Sequence, residues 1–216
     1  MQSGGKISRI FESHFRKEKD LKVTKVFAKI FRVITVPPFL ALLLLLYLYF
    51  GTEGYFKNVT ELLVVGFCII ILPILSYPIC FAVPKLRAGG RKAERTMAFI
   101  MTGVGYTLLM IPTFLCGFSE KLTVICVTYF LSALFLILFN KGLKLKASGH
   151  ACGVFGPILI FLYVGGSVLL IPCLAVLGVT VWSSLKLGRH TPRELFLGGL
   201  CSAVALITSI VLIYLI

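Results

Sequence analysis

Acidic residues are scarce in this sequence: 8 Asp and Glu stand against 22 Lys and Arg in 216 residues. After Glu120 the only one left is Glu194. Such a chain offers no cluster of carboxylates to hold Mg²⁺, and no metal or other cofactor is expected. Charge as a whole is low, 14% of residues, and it is clustered. No polar stretch beyond the N-terminal tail is long enough to build a soluble domain. The seven cysteines (68, 80, 116, 126, 152, 173 and 201) form no CxxC and no Cys/His cluster. They read as small buried hydrophobes rather than disulfides or zinc ligands. Histidine occurs three times, at His14, His150 and His190. No cleavable signal is expected either, because the first long apolar run extends to Phe50, well past the length of a signal h-region. Met1-Gln2 excludes N-myristoylation.

What the chain has instead is apolar length. Hydrophobic residues make up 58% of it and the mean hydropathy is +1.00. Runs of about 20 apolar residues read as membrane spans. The runs predict an all-α, polytopic membrane helix bundle of about seven spans, near 28–50, 59–83, 97–117, 122–140, 150–164, 167–182 and 195–216. Gly165-Gly166-Ser167 alone separates the fifth from the sixth, which predicts a tight hairpin or a partly re-entrant pair. Residues 1–27 form a separate basic segment. There Ile7, Ile10, Phe11 and Phe15 recur at helical spacing among Lys6, Arg9, Arg16, Lys17 and Lys19, as in an amphipathic helix lying on an anionic membrane. The transmembrane domain is 28–216.

The positive charge follows this topology. Twenty of the 22 Lys and Arg residues fall in the tail, at the start of the first apolar run (Lys29 and Arg32), and in the loops at 84–96, 141–149 and 183–194. The alternate connections carry only Lys57 and Lys121. The positive-inside bias therefore predicts a cell-membrane protein with its N-terminus and basic loops in the cytoplasm. Charge distributed in this way argues against a nucleic-acid partner despite a pI near 9.7.

Two short stretches on the basic side carry chemistry. The first is Lys146-Ala147-Ser148-Gly149-His150. Here Ser148 caps a helix whose free N–H groups and dipole favour an anion, Gly149 admits backbone to a ligand, and Lys144 and Lys146 add charge. The second is His190-Thr191-Pro192-Arg193-Glu194. Thr191 as N-cap, Pro192 at the first helical position and Glu194 three residues on form a capping box. Glu194, four residues after His190, can also accept a hydrogen bond from the imidazole. A two-span hairpin joins the stretches, so topology returns His150 and His190 to one membrane face. A nucleophilic histidine needs its other ring nitrogen held by a carboxylate, a second histidine can protonate a leaving oxygen, and Lys, Arg and helix-end amides stabilise a transferring phosphoryl group.

In these stretches, KASGH and SSLKLGRHTPRE followed by LFLGG, the chain resembles the phosphatidic acid phosphatase type 2 (PAP2) superfamily. The resemblance covers Lys146 to Gly199, most closely at the two ends. It implies a membrane-embedded phosphatase hydrolysing a lipid phosphate or diphosphate through a phosphohistidine, with that substrate and membrane lipids as partners. By the same resemblance His190 is the nucleophile, Glu194 orients it, and His150 is the acid for the leaving group. Ser148, Gly149, Lys146, Arg189, Arg95 and Lys186 would bind phosphate. The chain departs from the family pattern in three places. Ser184 occupies the third-motif Arg position, for which Lys186 or Arg189 would substitute. Glu194 replaces an Asp. The first motif, a Lys followed seven residues later by Arg-Pro, is not present as such, and the nearest counterpart is 84–95 with Arg95 for its Arg. A second reading keeps the scaffold and drops turnover: a protein that binds or transports a phospholipid or polyprenyl phosphate. A third, a membrane protein whose loops only set topology, leaves the two histidines and Glu194 unexplained.

Overall fold

The computed structural model describes residues 23–215, and the expected surface helix at 7–15 lies outside them. Every element among the described residues is helical. The chain runs α1 (Val23–Ile34), α2 (Pro37–Phe50), α3 (Val59–Gly66), α4 (Leu72–Ala82), α5 (Pro84–Ala88), α6 (Gly90–Leu115), α7 (Glu120–Ile137), α8 (Gly149–Gly165), α9 (Leu170–Lys186) and α10 (Pro192–Tyr214). A π-turn at Phe67–Ile71 joins α3 to α4, another at Leu138–Gly142 ends α7, and a 3₁₀ turn at Gly166–Leu169 joins α8 to α9.

Five helical stretches are long and apolar enough to cross a membrane, and six if α1 and α2 count as one bent span. This is consistent with a multi-pass membrane protein. The expected count of seven is not reached, for two reasons. First, the run at 28–50 is not one straight helix. Pro37 cannot continue α1, because it lacks an N–H and holds Val36 extended (φ −67°, ψ 142°), so α1 and α2 meet at 47°. Second, the apolar stretch Gly149–Lys186 qualifies only as a whole, with 38 residues, whereas each of its arms has 17. An arm of that length rises about 25 Å, short of the roughly 30 Å of hydrocarbon.

The stretch folds back at Gly166, whose φ of +57° is costly for any side chain but natural for glycine. Below the turn, Cys173 of α9 donates to the Ile158 carbonyl of α8 at 3.9 Å, and Val176 and Leu177 of α9 pack against the cluster that holds Val154 and Ile158. The two helices are thus antiparallel, and Ser148 and Ser184 arrive at the same end of the bundle.

α7 is the most buried helix and α10 packs along both α7 and α8. Leu44, Leu45, Leu48, Leu109, Leu122, Ile125 and Ile160 form the main core. Six of the seven cysteines are buried and all are unpaired, as small hydrophobes would be, while Cys116 is exposed. The contact that positions the functional end is Gly198 on α10. A Cβ there would stand 2.4 Å from the Ser148 carbonyl oxygen and 2.9 Å from the Ala151 Cβ. The absent side chain lets α10 lie directly on the first turn of α8, and Ser202, one turn on, donates to the Cys152 carbonyl at 2.8 Å.

Candidate active site

The site sits where α8 and α10 begin, at the end of the bundle opposite Lys57 and Lys121. Ser148 caps α8, its Oγ accepting from the Ala151 N–H at 3.1 Å. Its own N–H donates to the Glu194 carbonyl at 2.9 Å, which ties the two helix starts together. Thr191 caps α10, with its Oγ1 accepting from the Glu194 N–H at 3.2 Å while the Glu194 carboxylate accepts from the Thr191 N–H at 3.3 Å. This is the capping box read from the sequence, with both reciprocal bonds made.

Glu194 also serves the histidine. Its Oε2 lies 3.1 Å from His190 Nδ1 and its Oε1 lies 2.7 Å from Lys146 Nζ. With Nδ1–H donating to the carboxylate, Nε2 of a neutral His190 keeps its lone pair. That nitrogen is 3.4 Å from Ser148 Oγ. The His190 side chain is only 7% exposed, so the ring is held rather than free to turn. Burial pulls the His190 pKa below the ordinary imidazole value; the Glu194 hydrogen bond and charge oppose this, while Arg32 and Arg95 add to it. Burial thus favours the neutral imidazole, the form in which Nε2 keeps its lone pair.

His150 faces it. The two rings are parallel within 6° with centroids 6.5 Å apart, too far to touch but near enough to hold one tetrahedral oxyanion between them. Nε2 of His150 is buried and has no hydrogen-bond partner among the described residues. A buried donor or acceptor left unpaired is costly, and a ligand oxygen would satisfy it.

The structure brings together His150, His190, Glu194, Ser148 and Lys146, with Gly149 exposed in the first turn of α8. Lys146, expected from the sequence to bind phosphate, forms an ion pair with Glu194. Arg95 acts electrostatically on both His190 and Arg32, and Arg189 acts on Arg32. Lys186 is exposed in the last turn of α9, with no hydrogen bond or ion pair to this cluster among the described residues.

Sequence reasoning missed Arg32. Its Nη1 donates to Ser184 Oγ at 3.1 Å, across from the third-motif position where an arginine was sought. Ser184 is fully buried, so it cannot supply charge but can orient a guanidinium arriving from α1. Arg32 is half-buried and acts electrostatically on both histidines. The signal was present: a charged residue inside the apolar run 28–50 marks a functional position by default.

No family model matches this chain, and no curated protein or solved structure matches it either.

Proposed function

We propose that this protein is an integral membrane phosphatase of the phosphatidic acid phosphatase type 2 kind, acting on a lipid phosphate or diphosphate. The observation that supports it most is a buried histidine whose Nδ1 is held by Glu194, whose Nε2 lies by Ser148 Oγ, and whose ring stands 6.5 Å from a second histidine with an unpartnered Nε2. Arg32 adds support from the sequence as well. Lys25 precedes it by seven residues, the spacing of the family's first motif, although Val33 follows where the motif has Pro. On this reading Arg32, from α1 rather than from the loop at 84–96, provides the first-motif arginine.

The chemistry is phosphoryl transfer in two displacements. Nε2 of His190 attacks phosphorus, the N–P bond forms, and the bond from phosphorus to the leaving oxygen breaks. His150 gives that oxygen its proton, holding it beforehand against the negative charge of the phosphate. Water then attacks the phosphohistidine, His150 takes a proton from it, and the N–P bond breaks to regenerate His190. Glu194 stabilises the positive charge on His190 in both steps, and Arg32 with the first-turn N–H groups of α8 stabilises the charge on the phosphoryl oxygens. The lipid tail lies among the apolar helices beside this polar end.

The charge split supports a cytoplasmic location for this end. With α1–α2 crossing once and each arm of the α8–α9 hairpin crossing a locally thinned bilayer, the chain makes seven passes with every basic connection on one side.

The 3.4 Å approach of Ser148 Oγ to His190 Nε2 supports a second assignment, in which Ser148 is the nucleophile and His190 its base. One experiment separates the readings. Purified protein is given a panel of lipid phosphates and diphosphates with chelator present; phosphate release is measured and the quenched covalent adduct is characterised. Phosphohistidine is acid-labile and phosphoserine acid-stable. His190→Ala should release no phosphate and trap no adduct. Turnover surviving in that variant refutes the mechanism, and lipid binding without turnover in any variant favours a carrier.

A further inference from the structure

Lys146 sits in a loop braced by side-chain and backbone hydrogen bonds. The Asn140 side chain, in the π-turn that ends α7, bonds both the N–H (3.1 Å) and the carbonyl (3.2 Å) of Ala147. Leu145 N–H returns to the Phe139 carbonyl at 2.8 Å, and Ser148 N–H is bound to the Glu194 carbonyl at 2.9 Å. Lys144 reverses the chain with φ +54°. These bonds fix the Lys146 backbone beside the start of α10, where its ammonium closes on Glu194 Oε1 at 2.7 Å. Both carboxylate oxygens are then used, Oε1 by Lys146 and Oε2 by His190 and Thr191 N–H. The Glu194 and His190 side chains are 11% and 7% exposed, so water screens that pair weakly, whereas the Lys146 side chain is 83% exposed and its pull on the carboxylate is partly screened.

We propose that Lys146 is a positioning residue that acts through Glu194 on His190, rather than a contact to the phosphate. The inference rests on the phosphatase reading for its catalytic meaning, but the geometry it concerns exists without substrate. Lys146 draws part of the carboxylate's charge to itself. Without it, Glu194 stays in place through the capping box with Thr191, and its charge turns wholly toward the imidazole. His190 then holds a proton to higher pH, and less of it is nucleophilic near neutrality. The other groups that face His190 are Arg32 from α1, Arg95 from α6, and Ser148 and His150 from α8. None of them is altered by a change at Lys146.

The test is an NMR titration of ring-labelled histidine in the full-length protein in lipid nanodiscs, with His190 assigned by its loss in His190→Ala. Lys146→Gln should raise the His190 midpoint and Lys146→Arg should restore it. In a Glu194→Gln background, Lys146→Gln should leave the midpoint where it is, because the route through the carboxylate is gone. Inorganic phosphate, followed by the same resonances, should bind wild type and Lys146→Gln alike, whereas loss of a direct charge-assisted contact weakens binding about 10-fold or more. An unmoved midpoint, a shift that persists with Glu194→Gln, or a loss of phosphate affinity of that size overturns the proposal. The titration needs no turnover, so a chain that hydrolyses nothing still decides the role of Lys146 while separately defeating the phosphatase reading.

Discussion

Glu194→Gln is the substitution on which the proposed chemistry is most exposed, because Glu194 has a structural duty and a chemical one that this change separates. Gln also serves in a capping box, and the Thr191 Oγ1 bond to the backbone N–H of residue 194 is untouched. The helix start should therefore survive, with a stability change well under the ~1 kcal/mol typical of losing an N-cap. What is lost is the negative charge beside His190 Nδ1, at 3.1 Å and largely shielded from water. A hydrogen bond to a charged group contributes about 1.5–3 kcal/mol. Each 1.36 kcal/mol of barrier is a factor of ten, so phosphate release should fall about 10- to 150-fold. The pH profile adds a signature. Glu194, by hydrogen bond and by charge, raises the proton affinity of His190 against the effect of burial. Removing that charge lowers the pKa of His190 further, and the nucleophile stays unprotonated to lower pH. The acid limb of kcat/KM should thus move down the pH scale while the plateau drops. A folding defect would lower the plateau and leave the limb in place. An unchanged plateau and limb would make Glu194 a helix cap alone, and an upward shift would show that the sign of the argument is wrong.

Arg32→Gln should move the same limb the other way, to higher pH, because the Arg32 charge opposes protonation of His190; KM should rise about 10-fold as a charge-assisted phosphate contact is lost. For Gly198→Ala, whose Cβ would lie 2.4 Å from the Ser148 carbonyl oxygen, helix separation should cost about 1–3 kcal/mol in thermal unfolding, and activity should fall more than stability because Ser148 and His190 are displaced. Orientation is tested with an impermeant thiol reagent in a Cys116→Ser background, since Cys116 is the one exposed native cysteine. A cysteine at Glu53 should react from outside and one at Lys144 should not, and the opposite pattern would turn the active end outward.

Local rules were enough for much of this molecule. The helical, membrane-type character follows from long apolar runs, which leave the backbone no partner but itself in hydrocarbon. The caps at Ser148 and Thr191 and the His190–Glu194 pair are contacts within one helical turn, so residue spacing encodes them directly. That His150 and His190 share an end follows from a hairpin with glycine at its turn. Spacing could not show that Lys146 spends its charge on Glu194, because that pairing depends on the bracing of the 143–148 loop by Asn140. Nor could it show Arg32 reaching Ser184, a contact across 152 residues. That contact exists because Pro37 breaks the first apolar run and tilts α1 by 47°, and because Gly166 folds α9 back along α8. Local sequence determined which groups were available, and only helix packing, set by the bare backbone at Gly198 and the bend at Pro37, decided which of them face one another.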